Sequence, residues 1–248
     1  MSKLLEIVNL EKRYNTKEGE IFAIKNFNLE LNEGEIISIV GPSGCGKSTI
    51  LSIISNLESK SSGIIKEKDN LKKAYMLQSD ALFPWLTIYD NILLGLKIQK
   101  NVSKERLEYI DYLLNYYNLV EFKNNYPKSL SGGMKQRVAL IRTLALNPDL
   151  LLLDEPFSAL DQQSRLKISD DVYKICKKEN KTVILVTHNI EEAISFSDRV
   201  IVLSKRPSII KRIIPIEIEN NSSIYERRKD KNFNKYFDII WKDLDNYE

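Results

Sequence analysis

The chain has no run of about 18 consecutive apolar residues, the length a helix needs to cross a bilayer. Its opening, MSKLLEIVNLEKRY, lacks the long apolar centre of a secretory leader. A cytoplasmic protein is expected. Cysteine is scarce: Cys45 and Cys176 are the only two, and they form neither a disulfide framework nor a metal-binding pattern. A bias toward one sign of charge is missing too. Lys and Arg number 37 against 34 Asp and Glu, and the resulting +3 is too slight a basic excess to argue for nucleic acid. There is no internal repeat and no low-complexity linker, so 248 residues fit one large domain or two intimately joined ones, with a sizeable core.

What is present is organised around Val40 to Ile50, VGPSGCGKSTI. The apolar run Glu35 to Val40 has strand length and Ile50 to Leu57 has helix character, so Gly41 to Lys47 is a strand-to-helix turn. Gly41, Gly44 and Gly46 permit close backbone approach, and with Pro42, Ser43, Cys45 and Thr49 they frame amides that can face a polyphosphate at a helix N-terminus. Lys47 would reach the β and γ phosphates, and Ser48 would complete the shell of a Mg²⁺ ion. The plain alternative is an ordinary glycine turn. Cys45 is either a structural cysteine or a thiol whose oxidation would block the turn.

Leu4 to Leu10 and Ile21 to Leu31 are expected strands, with Asn32-Glu33-Gly34 as the turn into the next one. Tyr14 could stack on a purine base or be a half-buried strand residue. Ser59 to Asn70 is polar and reads as a turn-rich surface hairpin; Lys73 to Leu77 is a short strand ending at Gln78. From Leu82 the spacing becomes helical, with Leu107, Ile110, Leu114 and Tyr117 recurring at three and four residues. This predicts an inserted helical subdomain over about 82–146. Within it Leu130-Ser131-Gly132-Gly133 opens a second helix with Met134, Val138, Ile141 and Ala145 on one face; that start is an N-cap by Ser131 or a second anion site.

Leu150 to Leu153 is an all-leucine strand of the kind buried on both faces of a parallel sheet, and it ends in Asp154-Glu155-Pro156. The carboxyl end of such a strand is where α/β sheets bind ligands. Helix Gln163 to Asn180, strand Val183 to Val186 ending in Thr187-His188, helix Ile190 to Phe196 and strand Val200 to Leu203 complete an alternating α/β pattern. Ile209 to Ile218 contains Pro215 and is expected at a sheet edge. The tail is polar from Asn220, then carries the helical stripe Phe233, Phe237, Ile240, Trp241 and Leu244, which packs on the body or docks a partner.

Taken together, Gly41 to Thr49, Gln78, LSGGMKQR at Leu130 to Arg137, LLLLDEP at Leu150 to Pro156, Ser158-Ala159-Leu160-Asp161 and His188 resemble the ordered motifs of ATP-binding cassette (ABC) proteins across nearly the whole chain. The resemblance implies a P-loop NTPase fold, with a RecA-like parallel-sheet core, an N-terminal antiparallel β portion and the inserted helical subdomain. The core would comprise 1–81 and 147–216, and the helical tail 217–248. It implies ATP and Mg²⁺ as cofactors. Lys47, Ser48 and the loop amides would hold the triphosphate, Tyr14 would stack on adenine, and Ser48, Gln78 and Asp154 would surround the ion. Glu155 would polarise the attacking water and His188, the only histidine, would orient it. Ser131, Gly132 and Gly133 would face the phosphate loop of a second copy in a head-to-tail homodimer, with Asp161 at the seam.

A narrower resemblance is to importer ATPases that serve nitrate, sulfonate and taurine. It rests on Leu82-Phe83-Pro84-Trp85-Leu86-Thr87 followed by Tyr89-Asp90-Asn91-Ile92, and on Ser204-Lys205-Arg206-Pro207. It implies a separate membrane permease touching Phe83, Pro84 and Trp85, an extracytoplasmic solute-binding protein upstream, and a place on the inner face of the cell membrane. Trp85 could equally fill the helical subdomain's core. Leu77, Ser158 and Asn189 depart from common family residues without removing a catalytic group. Importers in the same group serve bicarbonate or thiamine precursors. A DNA-repair or chromosome ATPase would carry coiled-coil or zinc insertions, a translation-associated relative two cassettes, and a non-hydrolysing adaptor would not need Glu155 and His188.

Overall fold

A computed structural model describes residues 2–17, 19–219 and 222–245. Asn220, where the polar tail begins, lies outside the described residues. The strands divide by their burial. Those buried along their whole length are β3 (Ile36–Val40), β6 (Leu150–Asp154) and β7 (Thr182–Val186). They lie inside a six-stranded sheet with β5 (Lys73–Met76), β8 (Arg199–Leu203) and β9 (Ile210–Pro215), in the order β5-β6-β7-β3-β8-β9. All neighbours are parallel except β9, which runs antiparallel to β8 at the edge, and Pro215 ends it opposite Arg199. An edge position tolerates the missing N–H of proline.

A second sheet, in the order β2-β1-β4, is antiparallel and built from β1 (Lys3–Thr16), β2 (Gly19–Asn32) and β4 (Ser62–Glu67). Here the structure departs from the expected hairpin over Ser59 to Asn70. That segment supplies one strand, which pairs with β1 through Ile65 opposite Ile7 and Ile64 opposite Val8. Its polarity reflects an edge strand half turned to solvent, with Ile65 packed inward and Ile64 exposed.

The period of two in the leucine strand sorts its side chains between two cores. Leu150 and Leu152 join Ile37, Ile39, Ile184 and Val186 on the face covered by the antiparallel sheet and by α1 (Lys47–Ile54). Leu151 and Leu153 join Val183 and Leu185 on the opposite face, beneath α2 (Ile88–Ile98), α3 (Lys104–Tyr116), α4 (Gly132–Ala145) and α5 (Gln162–Lys178). Both faces of the sheet are dry, as parallel sheets require.

Four of these five helices start at side-chain caps, unlike α1, which follows Gly46 without one. Thr87, Ser103, Ser131 and Asp161 each accept a hydrogen bond from the amide three residues on, at the starts of α2, α3, α4 and α5. The loop before α2 is held by Asn91, whose fully buried amide accepts from Phe83 N at 2.8 Å and donates to the carbonyls of Phe83, Leu86 and Thr87. Trp85, in that pinned loop, is 69% exposed, which excludes it from the core of the helical segment. Its ring lies 5.3 Å from that of Phe83.

Beyond α6 (Ile190–Phe196), α7 (Ile224–Arg228) and α8 (Phe233–Asp245) close the chain. Phe233 and Ile240 of the expected stripe are buried against a third core that contains Val40, Val200, Val202 and Ala193, with Phe237 and Leu244 partly buried beside them. Trp241 stays exposed and stacks on Phe237 with 6.0 Å between ring centres.

Candidate functional site

The carboxyl ends of β3, β6 and β7 meet at one cavity of about 440 Å³. After β3 the chain enters the Gly41 to Thr49 turn. Gly44 has φ +70° and Gly46, the residue before α1, has φ +119°; both conformations are costly for any residue with a Cβ. They curl the turn so that it delivers the first amides of α1 to the cavity, where the helix end favours an anion. Lys47 is nearly buried, and its ammonium donates to the carbonyls of Gly41 at 2.8 Å and Pro42 at 3.0 Å. A cation thus lies along the turn at the place where phosphate charge would need neutralising. The Cys45 side chain is buried in the core beneath the turn, which favours the structural reading of this cysteine.

After β6 come the two acids. Asp154 is 2% exposed. Its Oδ2 accepts from the Tyr75 hydroxyl at 3.0 Å, and its Oδ1 is buried with no hydrogen-bond partner among the described residues. Burial pushes its pKa up, the Ser48 and Tyr75 hydroxyls pull it down, Glu155 adds to the rise and Lys47 opposes it. An orphaned carboxylate oxygen beside a hydroxyl, with the Gln78 amide lining the same cavity, is a hard oxygen set that fits a magnesium ion.

Glu155 adopts φ +51°, a left-handed backbone that a non-glycine residue keeps only when its surroundings enforce it. Its amide donates to Val186 O at 2.9 Å, while its carbonyl accepts from Ser158 N, Ser158 Oγ and Gln136 Nε2. Its carboxylate is hydrogen-bonded to His188 Nδ1. The sheet register explains the meeting: Asp154 pairs with Val186, so the residues that follow each strand come out side by side.

The cavity therefore brings together Gly41, Ser43, Gly44, Gly46, Lys47, Ser48, Thr49, Gln78, Asp154, Glu155 and His188. It does not reach Tyr14, Ser131, Gly132, Gly133 or Asp161, and Pro42 contributes a carbonyl to Lys47 instead of lining it. Tyr14 lies on β1, partly exposed, with Lys12 Nζ 4.8 Å from its ring centre. Ser131 and Gly132 are exposed at the start of α4, and Asp161 caps α5.

Three residues near the site have no role assigned by the motifs, although two of them lie inside quoted motif segments. Tyr75 lies on a strand visible in the sequence, but only the parallel register, which sets it opposite Leu152, puts it on the same face as Asp154 two residues on. Arg206, in the Ser204 to Pro207 segment, lines the cavity and donates to Gly44 O. Gln136 is visible only once α4 is seen against the loop after β6.

A parallel sheet with a phosphate turn after one strand and a buried acid pair after another defines a P-loop nucleoside triphosphatase. The ABC transporter family matches residues 24–158, and the chain belongs to that family. It is similar to an uncharacterised ABC transporter ATP-binding protein of Bacillus subtilis, YtlC, at 41% identity over 98% of this chain and 96% of that protein. It is also 37% identical to the nitrate import ATP-binding protein NrtD of Synechocystis sp., over 95% of this chain and 93% of that one. Among solved structures, a dimeric post-hydrolysis state of the ATP-binding cassette MJ0796 bound to ADP and phosphate superposes with a TM-score of 0.78 at 34% identity. That match covers 86% of this chain and 99% of the other. The protein is an ABC-type ATPase.

Proposed function

We propose that the chain is the ATP-hydrolysing subunit of an importer for a small solute of the nitrate, sulfonate or taurine kind. It works as a head-to-tail homodimer on the cytoplasmic face of a separate membrane permease, fed by an extracytoplasmic solute-binding protein. The observation that carries the hydrolytic part is the Glu155–His188 pair on the cavity that the phosphate turn also lines.

Lys47 and the amides of the turn hold the triphosphate, and Tyr14 stacks on adenine. Ser48, Gln78 and Asp154 would hold Mg²⁺, which when bound neutralises charge on the phosphate oxygens. Glu155 accepts a hydrogen bond from the attacking water and so polarises it, and His188 keeps that carboxylate aimed while presenting its other nitrogen toward the γ phosphate. The exposed start of α4 supports a role outside its own cavity: Ser131, Gly132 and Gly133 meet the phosphate turn of the second copy, and Asp161 lies at the seam. Closure on two ATP molecules and reopening after hydrolysis then form a two-state switch.

Residues 82–146 form the inserted helical subdomain, 1–81 with 147–216 the nucleotide-binding core, and 217–248 the tail. The exposed Phe83–Trp85 pair, on a loop fixed by Asn91, supports a docking role toward the permease. No helix among the described residues is long and apolar enough to cross a membrane, so in this reading a partner chain provides the channel. The test is co-purification with a membrane permease subunit from the same cell, followed by ATP turnover in proteoliposomes with and without the solute-binding protein. Turnover unaffected by the loaded binding protein would remove the importer reading and leave the ATPase.

A further inference from the structure

Gln136 lies on α4, one turn beyond Gly133, and is 5% exposed. Both ends of its amide are used on the same loop: Nε2 donates to Glu155 O at 3.2 Å, and Oε1 accepts from Ala159 N at 3.0 Å. Burying a primary amide is costly unless it is fully paired. An apolar side chain of similar length would fill the space equally well. What only a primary amide supplies at this size is a donor and an acceptor together, and here they clamp the turn between Glu155 and Ala159. The donor end acts on a residue whose backbone is held at φ +51°. The start of α4 also packs on the same loop, since a Cβ on Gly133 would lie 3.1 Å from Leu160 Cδ2.

We propose that Gln136 is a positioning residue that couples the start of α4 to the backbone of Glu155. The reading rests on the role given above to Glu155 as the group facing the attacking water. A helix turn is stiff, so displacement of Ser131 to Gly133 moves Gln136, and Gln136 moves the peptide that sets the direction of the Glu155 carboxylate. In a head-to-tail dimer α4 of one protomer senses the nucleotide held mainly by its partner. The amide then carries the state of that site to the protomer's own hydrolytic carboxylate.

The experiment is a double-mutant cycle on the full chain. ATP turnover and KM for ATP are measured for Gln136→Met and Gln136→Glu, each alone and combined with Glu155→Gln. Gln136→Met lowers kcat by roughly tenfold or more while KM moves by less than about twofold, as expected for a group acting only on transition-state geometry. Gln136→Glu keeps the acceptor for Ala159 N but loses the donor to Glu155 O, so it falls at least as far. In the Glu155→Gln background neither change lowers kcat further, because the amide acts through that carboxylate. Native kcat in Gln136→Met, losses that multiply in the double variants, or a loss carried by KM would overturn the proposal. Glu155→Gln at native turnover would instead remove the role of Glu155 itself, so the two failures are told apart. The non-additivity is read in kcat, and a purely structural contribution from Gln136 would not produce it.

Discussion

His188 Nδ1 is hydrogen-bonded to the carboxylate of Glu155, joining the loop after β7 to the loop after β6 at the mouth of the cavity. The carboxylate is mostly covered, at 12% exposure, while the imidazole is 64% exposed. One partner is therefore fixed by the sheet and the other is free to meet what enters. The pair is a consequence of register, since β6 and β7 are adjacent parallel strands that end together.

Replacing Glu155 with Gln keeps the size of the side chain and most of its hydrogen bonding but removes its capacity to take a proton. Turnover of ATP falls by roughly 10² to 10⁴ with ATP binding retained, the scale expected for loss of a general base. Steady-state phosphate release and equilibrium nucleotide binding check the two halves separately. The variant also accumulates as an ATP-bound dimer on size exclusion, because the step that reopens it is blocked.

The Tyr75 hydroxyl acts on the same site from behind, through Asp154 Oδ2. It lowers the pKa of that carboxyl, which burial raises above the ordinary range. In Tyr75→Phe the carboxyl rises further, so the ionised form is lost at higher pH and the acid limb of the ATPase profile moves to higher pH. The Mg²⁺ concentration needed for half-maximal turnover rises by about tenfold or more, in line with losses of outer hydrogen bonds to a metal-binding carboxylate. An acid limb that stays in place would show that Tyr75 only packs.

Much of this site was legible because each motif is a local constraint on backbone geometry. Gly41 to Thr49 must turn from strand to helix, and LLLLD must be buried and must end at an acid. What escaped needs contacts between segments. Tyr75 reaches Asp154 only through the parallel register of β5 on β6. Ser59 to Asn70 reads as a hairpin because half of an edge strand is polar, and nothing local says that its strand pairs with β1, about 50 to 60 residues earlier. Trp85 suits a core or a surface equally well by sequence; its exposure follows from the loop that Asn91 pins. The stripe of the tail is amphipathic, yet period alone does not say that Trp241 lies outside the contact while Phe233 and Ile240 lie within it.

Trp85 contributes little to the fold, being 69% exposed. Trp85→Ala therefore leaves the melting temperature and the ATP turnover of the isolated subunit near native. It weakens association with the permease by about tenfold or more, as truncation of an aromatic anchor does in interfaces. Titration of the permease in nanodiscs against labelled subunit measures this, and an unchanged affinity would remove Trp85 from the interface.

Arg227 tests a different part of the chain. It is 1% exposed and sends its guanidinium from α7 to the end of α6, donating to Ile194 O at 3.2 Å, Ser195 O at 2.7 Å and Ser197 O. Ile194 and Ser195 lie in the last turn of the helix and Ser197 directly follows it, where no further amide of the helix reaches their carbonyls, and a cation there also complements the helix dipole. Arg227→Met preserves much of the apolar stem but leaves three buried carbonyls short of a donor. The cost is about 2–4 kcal/mol, since unsatisfied buried acceptors lose their full solvation. For a chain of this size that corresponds to a fall of roughly 6–12 °C in the melting temperature. α6 begins at Ile190, two residues after His188, so loosening its far end also loosens the element that follows the imidazole. Nucleotide protects the variant: saturating Mg²⁺-ATP recovers part of the lost melting temperature, because binding to the folded state stabilises by mass action. A melting temperature within about 2 °C of native, less than the shift for 1 kcal/mol, would show that water or neighbouring donors satisfy these carbonyls without Arg227.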